Sequence, residues 1–216
     1  DGHDFIFDAI KKGATAIVAN GRAPATDIVP IIQVKNPRKT MSKIAANFFR
    51  NPSEKLKVIG VTGTNGKTTT TQIIDQILKK NNLSSSSLGT LGFNSPSGII
   101  STGFTTPESI ELHQILKTMK DGGVSYVPME ISSHSIEMNR IDDLKVDIGV
   151  FTNLGLDHLD FHKTQEEYFQ TKLKLFKKLK SNNTAIINID DKYGNKIITK
   201  LKSKLITYGF NNEATI

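Results

Sequence analysis

The sequence predicts an α/β protein built on a mainly parallel sheet. Three observations lead there. Short β-branched runs alternate with segments whose apolar residues recur at helical spacing. A glycine-rich stretch joins one such run directly to one such helix. Acidic and imidazole side chains gather where the runs end, and ligands of open α/β sheets collect beyond the carboxyl ends of strands.

Taken in order, Phe5–Lys12 has helical spacing and Gly13 ends it. Ala16–Ala19 and Ile28–Val34 read as strands. No strand precedes the first helix and residue 1 is Asp, so residues 1–35 are expected to be the end of an α/β domain cut at its start. Asn36-Pro37 punctuates the chain. Arg38–Arg50 is then a helix with Met41, Ile44, Ala45 and Phe48 on its apolar side, and Asn51-Pro52-Ser53 ends it. Residues 36–216 are expected to form a second unit.

That unit is organised around Gly60-Val61-Thr62-Gly63-Thr64-Asn65-Gly66-Lys67-Thr68-Thr69. Lys57–Val61 before it is a buried-strand sequence. Thr69–Lys80 after it carries Ile73, Ile74, Ile77 and Leu78 at helical spacing. Glycines between strand and helix let backbone N–H groups and the positive helix end approach a phosphate. Lys67 would reach the outer phosphates and Thr68 would place its hydroxyl on Mg²⁺. The usual loop has Gly five positions before Gly66; here that position is Val61, so the loop is a variant.

Further along, Ser84–Ser87 and Asn94–Gly98 read as loops. Thr106 reads as a helix cap, with Pro107 at the first position and Glu108 in the first turn. Ile110, Leu112, Ile115, Leu116 and Met119 form that helix's apolar side, and Gly122-Gly123 stops it. Val124–Ile131, Val146–Thr152 and Ala185–Ile189 are the remaining strand candidates. Strands alternating with helices argue for a sheet covered on both sides.

Composition narrows the function classes. The chain has 216 residues, 37% hydrophobic and 23% charged, enough for a packed core. It has no cysteine, hence no disulfide framework and no thiolate metal site, which fits a cytoplasmic protein. No apolar run approaches the ~20 residues of a membrane span. The net charge is +7, but the lysines are dispersed or on helix faces, as at Lys174, Lys177, Lys178 and Lys180. Without interleaved aromatics this reads as a solvated surface rather than a nucleic-acid footprint, and it suits a polyanionic substrate.

The strand ends carry the chemistry. Glu130 sits among apolar residues, where an ionised carboxylate needs a cation or donors; it is read as a Mg²⁺ ligand or a buried ion-pair member. Asp157, His158, Asp160 and His162 crowd one strand end. A hard metal prefers oxygen, but one imidazole fits such a set, and His158 is the candidate. Asn188-Ile189-Asp190-Asp191 either hydrogen-bonds a nucleotide or starts a turn. Glu166–Lys180 is helical, with Lys172 in the middle of a side formed by Tyr168, Phe169, Leu175, Phe176 and Leu179. Three readings of Lys172 stand: it snorkels, it pairs with an acid such as Glu130, or it is a neutral amine that captures CO₂ and holds Mg²⁺ as a carbamate.

Gly63-Thr64-Asn65-Gly66-Lys67-Thr68-Thr69 resembles the ATP loop of the Mur ligases, ATP-dependent amide-bond formers of peptidoglycan synthesis. Met129-Glu130-Ile131-Ser132-Ser133-His134, together with Phe151-Thr152-Asn153-Leu154 and Asp157-His158-Leu159-Asp160-Phe161-His162, looks like the MurE branch. That branch adds the third amino acid, meso-diaminopimelate or L-lysine, to UDP-N-acetylmuramoyl-L-alanyl-D-glutamate. The Asp1–Ile6 opening is similar to the late part of the family's UDP-binding domain.

The resemblance implies a partial N-terminal UDP-binding domain (1–35), an ATP-binding central domain with a P-loop (36–216), and a C-terminal domain absent from this sequence. It implies that Gly63, Thr64, Asn65, Gly66, Lys67, Thr68 and Thr69 bind ATP. Thr68, Glu130 and His158 would hold Mg²⁺, and Thr105, Thr106, Ser132 and Arg140 would contact the nucleotide substrate. Lys172 would be the carbamylated lysine and, with Lys67, catalytic. Phe104 and Met138 stand where some relatives carry Asn and Gln, and are left out of the site. The piece alone is expected to have little or no ligase activity. Rivals are another ligase of this fold, of the MurF or folylpolyglutamate type, a nucleic-acid-stimulated ATPase, or a non-catalytic nucleotide-binding module.

Overall fold

A run with nothing polar between Val58 and Val61 becomes the centre of the molecule. The computed structural model describes every residue except Asp1, Arg22, Ala25, Pro96, Ser97, Asn211 and Asn212. The Asp1 start and the Pro96-Ser97 part of the expected loop therefore lie outside the described residues. Strand β3 (Lys57–Thr62) lies between β7 (Tyr126–Glu130) and β8 (Ile148–Phe151), parallel to both. Being flanked on both edges and covered on both faces, it needs the apolar run it has.

The side chains of β3 alternate between two cores, as strand pleating requires. Val58 joins Val127, Met129, Phe151 and Ile187 on one face. Ile59 and Val61 join Val150 on the other. The first core is closed by α4 (Ser109–Asp121) and α7 (Gln165–Lys178) through Leu112, Leu116, Tyr168 and Phe176. The second is closed by Ile74 and Leu78 of α3 (Lys67–Lys80).

Among the described residues the main sheet has eight strands, in the order β10-β9-β8-β3-β7-β4-β5-β6. Strands β9 (Thr184–Asn188) and β10 (Lys204–Tyr208) extend it in parallel. On the other side β4 (Leu88–Gly89) runs parallel to β7, whereas β5 (Gly92–Ser95) and β6 (Gly98–Ile100) are antiparallel. Near the N-terminus, α1 (Ile6–Lys11) precedes β1 (Ile17–Ala19) and β2 (Ile31–Gln33), which form a separate two-stranded parallel sheet. Helix α2 (Pro37–Phe48) follows, capped by Asn36, whose Oδ1 accepts from Lys39 N at 3.0 Å. Short helices α5 (Ser133–Glu137), α6 (Leu159–His162) and α8 (Lys192–Ile198) complete the chain. Among the described residues no helix is long and apolar enough to cross a membrane.

Several expected faces and boundaries move. In α2 the buried residues are Ser42, Ala45 and Ala46, while Ile44 and Phe48 are exposed. Its small side chains allow close approach, and Ser42 Oγ accepts from Asp143 N at 3.0 Å. In α3 Ile73 and Ile77 face outward, and Thr71 and Asp75 are buried instead. Asp75 accepts from Ser85 Oγ and Lys79 Nζ, each at 2.7 Å, which satisfies its buried carboxylate. Helix α4 begins at Ser109, so Thr106 is not its cap.

Ser85, Ser86 and Ser87 are buried beside the sheet rather than looped into solvent. Asn94, Ser95 and Gly98 are strand residues, paired between β5 and β6, with Phe93 in the core. Strand β10 and helix α8 had no counterpart in the sequence reading, because alternation in β10 is interrupted by lysine and threonine.

Two expectations test this packing. Leu116→Ala, at 0% exposure, should cost about 2–5 kcal/mol of unfolding free energy, and Ile110→Ala, at 53%, less than about 1 kcal/mol, by urea denaturation. His113 is buried on α4 with both ring nitrogens unpartnered; burial lowers its pKa, and nearby Asp143 only partly opposes this. A group favoured neutral in the folded state stabilises fully above its ordinary value and loses that contribution as pH falls through it. Stability should therefore drop on acidification below pH ~6.5. His113→Leu should flatten that slope without abolishing it, since His134 and His162 are shifted in the same direction.

Candidate active site

Strand β3 leads straight into the glycine loop, and the loop into α3. The N-cap of α3 is Gly66, in the left-handed region at φ 83°, and no side chain caps the helix. A residue with a Cβ is strained there. The first-turn N–H groups of a 14-residue helix are thus left for an anion.

The end of β8 holds the loop in shape. Thr64 N donates to Asn153 O at 2.9 Å and Asn65 N to Asn153 Oδ1 at 3.0 Å. Thr152 Oγ1 donates to Asn65 O at 2.7 Å. Thr64 Oγ1 accepts from Gly155 N at 2.9 Å and donates to Tyr168 Oη at 3.3 Å. Asn65, Gly66 and Thr69 stay exposed.

Two lysines converge on one carbonyl of this loop. Lys67 Nζ donates to Gly63 O at 3.1 Å and to Thr64 O at 2.8 Å. Lys172 Nζ donates to the same Gly63 O at 2.9 Å and sits 4.4 Å over the Tyr168 ring. Lys172 is 1% exposed. Its burial, then repulsion from Lys67, hold its pKa well below the ordinary lysine value, with Asp157 opposing. Burial also lowers Lys67, against Glu130 and Asp157. The reading in which Lys172 pairs with Glu130 is not realised, because Tyr168 and the Gly63 carbonyl take the ammonium. Nor does it snorkel.

Glu130, at the end of β7, is also 1% exposed. Its Oε2 accepts from Thr68 Oγ1 at 2.9 Å and from Thr90 Oγ1 at 3.3 Å; its Oε1 accepts from Thr90 N at 2.8 Å. These donors are neutral, and among the described residues Glu130 makes no ion pair. Gly89 makes the space: a Cβ there would lie 2.2 Å from Glu130 Oε1.

A cavity of about 260 Å³ brings together Lys67, Thr105, Thr106, Ser132, Arg140, His158 and Lys172. Glu130, Thr68 and the rest of the glycine loop do not line it. Thr106 Oγ1 donates to Glu130 O at 2.8 Å and accepts from Ser132 N at 3.1 Å, so it ties the substrate-side loop to the strand end. Thr105 Oγ1 lies 3.2 Å from Thr90 Oγ1 and donates to it, since the one Thr90 hydroxyl proton goes to Glu130. Ser132 caps α5 by accepting from Ser135 N at 3.1 Å. Another cavity, of about 290 Å³ beside Ile141 and Lys178, holds none of the candidate catalytic, binding or metal-ligating residues named from the sequence.

His158 is half-buried at φ 53°, with Nε2 3.5 Å from Asp157 Oδ2. Its ring stands edge-on to His134 at 4.9 Å. His162 is buried against Tyr168 with Nε2 unpartnered, and Asp160 is exposed. Among the described residues no three His, Asp or Glu side chains group to hold a metal.

The Asn188–Asp191 stretch makes internal hydrogen bonds, as the turn reading expects. Asp191 caps α8 through Tyr193 N at 2.8 Å and accepts from Leu154 N at 2.8 Å. Asn188 Nδ2 donates to Thr152 O at 2.9 Å, and Asp190 accepts from Phe210 N at 2.9 Å.

The sequence reading missed Gly89, Thr90, Asn153 and Ser133, whose buried hydroxyl has no partner at the cavity wall. Only Asn153, next to Thr152 at a strand end, carried a usable signal. Phe104, set aside on the sequence, lines the cavity with the Arg140 guanidinium 5.0 Å from its ring. Met138 ends α5 and does not line it.

The sequence model of the Mur ligase middle domain matches residues 61–216. The chain belongs to the Mur ligase family. It is 46% identical over 218 residues to the UDP-N-acetylmuramoyl-L-alanyl-D-glutamate--2,6-diaminopimelate ligase of Clostridioides difficile, covering 99% of this chain and 44% of that protein. It is 43% identical over 219 residues to the ligase of the same name from Clostridium perfringens, covering 99% and 45%. The chain thus spans less than half the length of these curated relatives.

A solved structure of a UDP-N-acetylmuramoyl-L-alanyl-D-glutamate--2,6-diaminopimelate ligase superimposes with a TM-score of 0.81 at 28% identity, over 98% of this chain and 44% of that one. A Mur ligase of the MurF type from Thermotoga maritima, in complex with ADP, gives 0.59 at 27%, over 97% and 44%.

Gly89→Ala should displace the Glu130 carboxylate, because the new methyl would occupy its place. A crystal structure of this Mur ligase variant should show Glu130 in another rotamer, and chemical denaturation a loss of about 1–3 kcal/mol. An unmoved Glu130 would refute the packing argument.

Proposed function

We propose that this chain is the nucleotide-binding part of an ATP-dependent ligase of peptidoglycan precursor synthesis. In this reading residues 36–216 form the ATP-binding domain and residues 1–35 the end of the UDP-binding domain. The reaction joins an amino acid to the D-glutamate side-chain carboxylate of UDP-N-acetylmuramoyl-L-alanyl-D-glutamate. The names of its relatives favour 2,6-diaminopimelate as that amino acid.

The observation that carries the reading is a single cavity in which Lys67 of the glycine loop faces Thr106, Ser132 and Arg140. It would bring an activating phosphate and a carboxylate substrate to one place. Positioning plus charge stabilisation is what phosphoryl transfer demands of a protein.

The residues fit the groups they would hold. The uncapped start of α3, with Gly63–Thr69, suits the ATP phosphates. Lys67, released from the loop carbonyls, would neutralise the transferring phosphoryl. Thr68 and Glu130 present adjacent oxygens suited to Mg²⁺, an ion that keeps few protein ligands and takes others from phosphate and water. His158, on the wall of the neighbouring cavity, would be a third donor. Mg²⁺ there would supply charge neutralisation. The substrate carboxylate would attack the γ-phosphorus of ATP, with ADP as leaving group, to give an acyl phosphate; the amine of the incoming amino acid would then displace inorganic phosphate to form the amide.

Lys172 is suited to carbamylation. Two ammonium groups on one carbonyl repel each other, and burial already favours the free amine that reacts with CO₂. The product, an anion with two oxygens, would relieve that repulsion and offer metal ligands.

Labelling with ¹³C-bicarbonate near neutral pH should give a carbamate resonance that is missing in Lys172→Met. Its equal presence in the variant would exclude Lys172. In the full-length ligase Lys67→Met should lower kcat on the order of a hundredfold or more, measured as phosphate release dependent on ATP, the nucleotide substrate and the diamino acid. Full turnover in that variant would remove the loop lysine from the mechanism.

A further inference from the structure

The cavity is held by one more charged group than the substrate residues themselves. Glu108, in extended backbone, is the last residue before α4, and its side chain does not cap that helix. It turns to Arg140 instead, with Oε1 2.8 Å from Nη2. Oε2 is buried, makes no hydrogen bond, and lies 3.7 Å from Nη1 of Arg38 on α2.

The Arg140 side chain is only 13% exposed. Its Nη1 donates to Thr106 O at 3.0 Å, and its plane lies over the Phe104 ring at 5.0 Å. An arginine has five N–H donors. These contacts occupy two of them, and the buried Nε of this cavity-lining residue has no partner among the described residues.

We propose that Glu108 is a positioning residue for the nucleotide substrate. It pins the Arg140 guanidinium between the Thr106 carbonyl and the Phe104 ring, so that the remaining donors meet an anionic group of that substrate, a carboxylate or a phosphate. The inference rests on the reading above, in which Arg140 contacts the UDP-muramoyl dipeptide.

Two effects of Glu108 oppose each other, and their balance is measurable. The carboxylate holds a long side chain in one orientation and prevents its charge from being buried alone. It also cancels part of the positive charge that draws an anion. If orientation dominates, removing the carboxylate weakens substrate binding; if charge dominates, removal tightens it. With one acceptor fixing Nη2 and another fixing Nη1, orientation is the larger effect. Arg38 is an internal control, since at 3.7 Å and half exposed it contributes little to the pin.

Steady-state kinetics of the full-length ligase tests this. Glu108→Gln should raise KM for the nucleotide substrate roughly tenfold or more, leaving kcat and KM for ATP within about twofold. Arg38→Gln should behave as wild type. Arg140→Gln, measured alongside, reads the foundation and should raise the same KM.

An unchanged or lower KM in Glu108→Gln, beside a raised one in Arg140→Gln, overturns the positioning role and leaves the site reading intact. An unchanged KM in Arg140→Gln overturns both. A fall in kcat alone, or losses spread equally over both substrates, marks Glu108 as merely structural and also overturns the inference. If Glu108→Gln does not melt cooperatively, Glu108→Asp, which keeps the charge but retracts it, is judged by the same criterion.

Discussion

A carboxylate buried among neutral donors is the constraint on which the strand ends of this molecule depend. Glu130 ends the strand beside β3, and it accepts from two threonine hydroxyls and one backbone N–H. The two residues that supply these donors meet different demands on the chain. Thr68 requires the glycine loop to turn directly into α3. Thr90 requires β4 to turn where it does, and Gly89 must lack a side chain for the carboxylate to fit. Remove any of these and a charge is left in a place that cannot solvate it.

The same strand ends impose a second tension, between like charges. Lys67 and Lys172 both donate to Gly63 O, one from the loop helix and one from α7. The arrangement is unfavourable while both are ammonium groups. An anion at the loop would draw Lys67 away, and loss of the Lys172 proton would end the repulsion. The site is therefore poised toward ligands of negative charge, in keeping with the basic net charge of the chain, +7. Glu108 and Arg140 continue this logic on the substrate side, where a buried guanidinium is held by a carboxylate and by the edges of a loop.

Much of this was legible before any coordinates. A β-branched run followed by glycines, Lys67 and Thr68 is a local pattern, and strand, turn and helix formed where it stood. Lys172 was conspicuous because one charge interrupted an otherwise apolar helix side, and it is buried as that spacing demanded. Helix faces were less legible. Ile73, Ile77, Ile44 and Phe48 fit an apolar stripe yet lie exposed, because α2 and α3 bury small or polar residues whose partners, Asp143 and Ser85, lie outside those helices. Ser84–Ser87 looked like a loop for the same reason: nothing local announces that serines will be satisfied inside.

The sequence by itself determined the parallel α/β plan, the phosphate-type loop and the identity of the chemical groups at the strand ends, since these rest on near-neighbour spacing and on conformational limits of single residues. Only the tertiary structure decided which of those groups meet. Glu130 receives threonine donors and not Lys172, Asp191 braces the Leu154 loop, and Arg140 pairs with Glu108. These pairings depend on strand order and helix docking, which place residues far apart in the chain within 3 Å of one another, and no local pattern encodes that distance.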